Sequence, residues 1–174
     1  MKSLRASMGI TAFLIAMLLS FGATQAVAAT SVSDVPVASS ASESTKNFAK
    51  SNQSAVARAG HACGGNYQLA SADPLPFGVD PKLRKGVLYN YVTPDSDSAC
   101  AIFDNNTGVR QYMELTSCPG ATLGGPNCST DKGNFLQYAG PTYTSTKGPR
   151  GTCWVHKAYM QFVISQGVTY GKTC

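Results

Sequence analysis

The chain has 174 residues and carries 14 Lys and Arg against 9 Asp and Glu, a net charge of +5. Apart from Lys82, Arg84 and Lys85 the basic residues are scattered, and nucleic-acid binding needs a dense basic face or stripe. The six cysteines are even in number and lack paired Cys-x-x-Cys spacing, so disulfides are expected in place of a metal site or a catalytic thiol.

In chain order, Lys2 and Arg5 precede an apolar run from Met8 to Gly22, and Ala26-Val27-Ala28 offers a small-x-small cleavage site. This is the pattern of a secretory signal peptide, residues 1–28. The run falls short of the ~20 apolar residues that a membrane span needs, and no second long run follows. The expected product is a secreted, extracellular chain from 29 to 174 with no membrane partner after signal cleavage. Without Lys2 and Arg5 it has 12 basic residues against 9 acids, a net charge near +3.

Residues 29–60 are rich in Ser, Ala, Thr and Val, with Phe48 the one aromatic. Such composition buries too little apolar surface to offset chain entropy, which predicts a disordered arm or pro-region. A domain is expected over 61–174, read as short strands between turn clusters: an all-β fold, a small antiparallel sandwich or barrel. Strands are predicted at 66–71, 87–92, 100–103 and 109–116. The three prolines of 73–81 predict an extended loop. Asp104-Asn-Asn-Thr-Gly108 predicts a hairpin turn. Val109, Gln111, Met113 and Leu115 alternate with Arg110, Tyr112, Glu114 and Thr116, so one face packs and the other meets water. Further strands are predicted at 135–138, 142–145, 152–156, 159–165 and 168–173, with Gln166-Gly167 as a turn. Around Gly140-Pro141 a kinked pair of segments is expected, with Pro141 at a strand start, on an edge or at a bulge.

About three disulfides are expected among Cys63, Cys100, Cys118, Cys128, Cys153 and Cys174. Cys118–Cys128, Cys153–Cys174 and Cys63–Cys100 are favoured among 15 connectivities. No metal site, cofactor or catalytic residue is predicted. His156 follows Trp154-Val155 on a strand expected to expose it, and no Gly-x-Ser-x-Gly elbow supports a hydrolase. Glu114 is the one glutamate of residues 61–174, and turn roles account for most of the aspartates. Tyr138, Tyr143 and Trp154 are the candidate binding face, since aromatics offer large area with a polar tip.

From Cys63 onward the chain resembles the spore-associated protein A family of actinobacteria. The resemblance rests on Cys63-Gly-x-x-Tyr67, Val87-Leu-Tyr-Asn90, Cys100, Asp131-x-Gly133, Tyr138-Ala-Gly-Pro-x-Tyr143 and Gly151-x-Cys153. It covers about 61–174 and implies a small exported protein of the spore or aerial-hypha surface, with no catalytic residues to carry over. Cys118 to Cys128 and Trp154-Val-His-Lys157 depart from the pattern. The expected function is a secreted, non-enzymatic structural or surface-associated protein of the cell wall or spore surface. The alternative is a carbohydrate-binding or cell-wall-binding module, or a secreted inhibitor of an extracellular enzyme. Partners would be cell-wall glycan or another surface protein, and the chain is expected to be a monomer.

Overall fold

A computed structural model describes residues 35–148 and 151–171. The expected signal peptide, the first residues of the arm and Cys174 lie outside the described residues. Two antiparallel sheets face each other as a sandwich. The first holds β1 (Gln68–Leu75), β2 (Gly86–Val92), β3 (Ser98–Asn105) and β6 (Tyr138–Ser145), in the order β1-β2-β3-β6. The second holds β4 (Gln111–Pro119), β5 (Ser129–Phe135), β7 (Lys147–Gly148), β8 (Gly151–Met160) and β9 (Ile164–Gly171). There β4 lies between β5 and β8, and β8 also pairs β7 and β9.

The period-two rule decides which side chains meet between the sheets. Leu88, Ala101, Phe103 and Ala139 from the first sheet pack on Met113, Leu115, Ala158 and Met160 from the second. Each fully buried large side chain contributes about 1.5–3 kcal/mol. The alternation of β4 is as expected, with Met113 and Leu115 inward and fully buried. In β2, by contrast, all seven residues are buried, because this strand is covered on both faces.

The second cover is helical, and over residues 35–60 it corrects the reading of 29–60 as a disordered arm. Among the described residues, α1 (Glu43–Ser51) and most of α2 (Gln53–Cys63) lie in that span. Ser42 caps α1 by accepting from the Thr45 amide at 3.2 Å, and Glu43 pairs with Lys46 at 2.8 Å. Val56, Ala59 and Cys63 form an i, i+3, i+7 stripe, which packs with Val87, Tyr89, Tyr91 and Ile102 on the outer face of the first sheet. The Tyr91 hydroxyl donates to the Val56 carbonyl at 2.7 Å. At Gly60 α2 meets both the segment before α1 and the sheet: an added Cβ would stand 2.7 Å from Val35 Cγ1 and 3.2 Å from Tyr91 Cε1. The folded unit thus starts well before residue 61.

Other expectations change in detail. Asp104-Asn-Asn-Thr-Gly108 does not close a hairpin, since β3 and β4 belong to different sheets. Asn105 Nδ2 donates to the carbonyls of Val109 (2.8 Å) and Phe135 (3.0 Å), which turns the chain across the sandwich. Pro74 lies within β1, tolerated because β1 is an edge strand. Residues 136–137 are the β5–β6 turn and 161–163 the β8–β9 turn, whereas Gln166-Gly167 is inside β9. Pro141 sits on the edge strand β6 beside a register shift opposite Ala101 and Phe103, as edge and bulge chemistry predict. Gly140 takes φ 107° there, and its amide donates to Asp131 Oδ2 at 2.7 Å.

Two of the favoured disulfides are formed. Cys63–Cys100 ties the end of α2 to β3, and Cys118–Cys128 closes the loop after β4. Cys153 is buried and bridges no cysteine among the described residues; its expected partner Cys174 lies outside them. The two bridges indicate an oxidising compartment. No helix among the described residues is long and apolar enough to cross a membrane.

Candidate functional site

Halfway along the inter-sheet core the apolar packing gives way to a chain of polar side chains. Inward positions of four strands supply it: Asn90 on β2, Ser117 on β4, Thr142 on β6 and His156 on β8. All are at most 1% exposed, and His156 and Ser117 are at 0%. His156, expected on the surface, is therefore in the core, because Trp154, His156, Ala158 and Met160 share the inward face of β8.

The hydrogen bonds fix every proton in the chain. Trp154 Nε1 can only donate, and it meets Asn90 Oδ1 at 3.1 Å. That oxygen also lies 3.1 Å from His156 Nε2, so Nε2 carries the ring proton and donates. Nδ1 is then the acceptor, and the Ser117 hydroxyl, 2.7 Å away, donates to it. Ser117 Oγ in turn accepts from the Thr142 hydroxyl at 2.6 Å. The order of donation is Thr142 to Ser117 to His156 to Asn90, with Trp154 as second donor to Asn90. Burial pushes the His156 imidazole down to about 3, since charging it would place an unpaired cation between the sheets.

This is a serine, a histidine and an amide in line, and its chemistry differs from that of a nucleophilic triad. A catalytic base is oriented by a group that stabilises the imidazolium, usually a carboxylate. Here the third member is a neutral amide, and the serine is sealed from solvent. The arrangement satisfies buried polar groups and fixes how the two sheets meet.

The candidate binding face is not brought together as expected. Tyr143 is outward on β6 and 45% exposed. Its ring lies 6.1 Å from that of Tyr67, and its hydroxyl donates to the Cys63 carbonyl at 3.4 Å. Tyr138 is half-buried against the helix-side core. Trp154 belongs to the other sheet, is 8% exposed and stacks on Tyr170 at 5.9 Å. The surface aromatics that do meet are Tyr67 with Tyr143, and Tyr112 with Tyr159 at 6.3 Å on the outer face of the second sheet. The spacing of Tyr67 and Tyr143 in the sequence gives no sign of their pairing, since the Cys63–Cys100 bridge and the β3–β6 register bring them together. Among the described residues no three His, Cys, Asp or Glu side chains cluster as a metal site would require. The chain matches no protein-family model, no curated protein and no solved structure.

Proposed function

We propose that the chain is an exported, non-enzymatic protein that associates with the outside of the cell, at the cell wall or spore surface. The observation that supports this reading is the sealed Ser117–His156 pair: the hydroxyl–imidazole contact best placed for nucleophilic chemistry is part of the core. Two disulfides suit an extracellular setting, and the spore setting rests on the motif resemblance from Cys63 to Cys153. Fractionation of producing cells into wall, spore surface and medium tests it. The chain is expected in the wall or spore fraction, without hydrolytic activity. A hydrolytic activity that Ser117→Ala abolishes while the fold persists overturns the reading.

A second reading is a glycan-binding module, and the pairing of exposed Tyr143 with half-buried Tyr67 favours it, since such rings stack on sugar faces. Pull-down on peptidoglycan reads this out. Tyr143→Ala is expected to weaken retention several-fold, and unchanged retention excludes the pair as the contact.

A further inference from the structure

Eight large apolar side chains are exposed among the described residues, and six of them gather at one end of the sandwich. Phe77 and Leu83 lie between β1 and β2, Val109 on the β3–β4 crossover and Leu136 in the β5–β6 turn. Phe162 and Val163 are in the β8–β9 turn. The registers place these four connections together: Leu75 is opposite Gly86, Gly86 opposite Asn105, Gln111 opposite Phe135, and Met160 opposite Ile164. A hydrogen bond from the Asn106 amide to the Lys85 carbonyl at 2.8 Å links two of them, and the Phe77 amide donates to Gln166 Oε1, two residues into β9, at 2.9 Å. Phe162 is 96% exposed and holds φ 60°, a conformation that disfavours a bulky side chain.

The same connections are basic. Lys82, Lys85 and Arg110 are exposed there, against one exposed carboxylate, Asp80. Arg84 adds a guanidinium whose buried Nε has no hydrogen-bond partner among the described residues. It lines a cavity of about 240 Å³ together with Arg58, Asp104, Phe48, Pro81 and Asn106. Arg58 and Asp104 are paired at 2.9 Å, which leaves the cavity one positive charge in excess.

We propose that this end of the sandwich docks on an anionic lipid surface. Phe77, Leu83, Leu136 and Phe162 enter the acyl boundary, Lys82, Lys85 and Arg110 meet the headgroups, and the Arg84 cavity takes one headgroup phosphate. Two features choose lipid over a protein. The apolar side chains stand on four separate connections, and fluid lipid fills the spaces between them where a rigid partner would need matching pockets. A second copy of the chain would set Lys82, Lys85 and Arg110 against like charges, which opposes association. Apolar insertion beside basic residues is the usual basis of binding at an anionic interface, and a single excess charge complements a phosphodiester. A reading by continuous apolar runs finds no membrane contact, because the fold gathers residues that the sequence scatters.

Co-sedimentation of the exported chain with vesicles tests this independently of the glycan and wall readings. The expected result is binding to vesicles of equal parts phosphatidylglycerol and phosphatidylcholine, weakened by salt, with little binding to phosphatidylcholine alone. Leu136→Ser and Phe162→Ser remove exposed side chains, so the thermal midpoint should hold while affinity falls about tenfold for each. Arg84→Gln should weaken binding by about tenfold as well. No binding to the anionic vesicles, equal binding to both compositions, or indifference to the two serine substitutions overturns the proposal. Binding unchanged in Arg84→Gln overturns the headgroup assignment. A dimer in sedimentation velocity that the serine substitutions dissolve makes a second copy the occupant and overturns the lipid.

Discussion

His156 accepts a proton from Ser117 on one ring nitrogen and gives one to Asn90 on the other, so a second ring proton has no acceptor unless Ser117 and Thr142 both reorient. The folded imidazole titrates at about 3 and an unfolded one at 6.5. Between those values the unfolded chain binds more protons, so stability is fully present above pH 6.5 and is lost as pH falls towards 3. The slope attributable to this residue approaches about 1.4 kcal/mol per pH unit. Urea unfolding from pH 7 to pH 4 should therefore show a steeper loss in the native chain than in His156→Gln, and identical slopes would remove His156 as the cause. Ser117→Ala strands Nδ1 and the Thr142 hydroxyl and should cost about 1–3 kcal/mol at pH 7. None of this was legible in the sequence. Trp154-Val155-His156 has the alternation of a strand, but alternation does not say which face is inward. Asn90 interrupts an apolar run without naming its partners 64 and 66 residues away.

At the scale of elements, the strands of strongest β-branched and aromatic content were readable, β2 above all, and so was the alternation of β4. The helices were only faintly legible: residues 46–59 read as a transient helix at most, because Asn47, Ser51, Asn52 and Ser54 lower helix propensity. What holds α2 is tertiary: its stripe on Tyr89 and Tyr91, and the bridge from Cys63 to Cys100. The available signals were Ser42 with Glu43 at the start of α1 and the spacing of Val56, Ala59 and Cys63. Removing residues 35–60 should strip the outer face of the first sheet and lower the thermal midpoint by well over 10 °C, given the several large side chains exposed. An unchanged midpoint would show that the helices add nothing to the sheet. Gly60→Ala is a finer probe: its methyl meets both Val35 methyls, and a loss of about 1–3 kcal/mol is expected in denaturant titration.

For the whole molecule, strand pattern and cysteine count led to a disulfide-stapled antiparallel sandwich or barrel, and the two facing sheets make it a sandwich. The sequence did not reveal that the 106–110 turn changes sheets, because the same Asn and Gly chemistry serves a hairpin or a crossover. The candidate face from Tyr138, Tyr143 and Trp154 failed for a related reason: β6 and β8 lie in different sheets. Peptide mapping without reduction should recover the 63–100 and 118–128 pairs. Any peptide joining Cys63 to Cys118 or Cys128 would contradict the sheet assignment. Replacing Cys118 and Cys128 with Ser should cost about 2–3 kcal/mol, the scale for a short closed loop, without loss of the helix layer, read by circular dichroism.

The short bridge between Val37 and Leu69 bears on a different hazard. The Leu69 amide donates to the Pro36 carbonyl and the Ala38 amide donates to the Leu69 carbonyl, each at 2.9 Å, so the segment before α1 occupies the first part of the β1 edge. An uncovered edge is a template for strand addition by another chain. Clipping the chain between Ala38 and Ser42 would free that edge while sparing both helices. The trimmed protein should polymerise through β1 at concentrations where the intact one stays dispersed, which light scattering with thioflavin fluorescence would follow. Residues 36–38 then cover an edge that would otherwise template self-association.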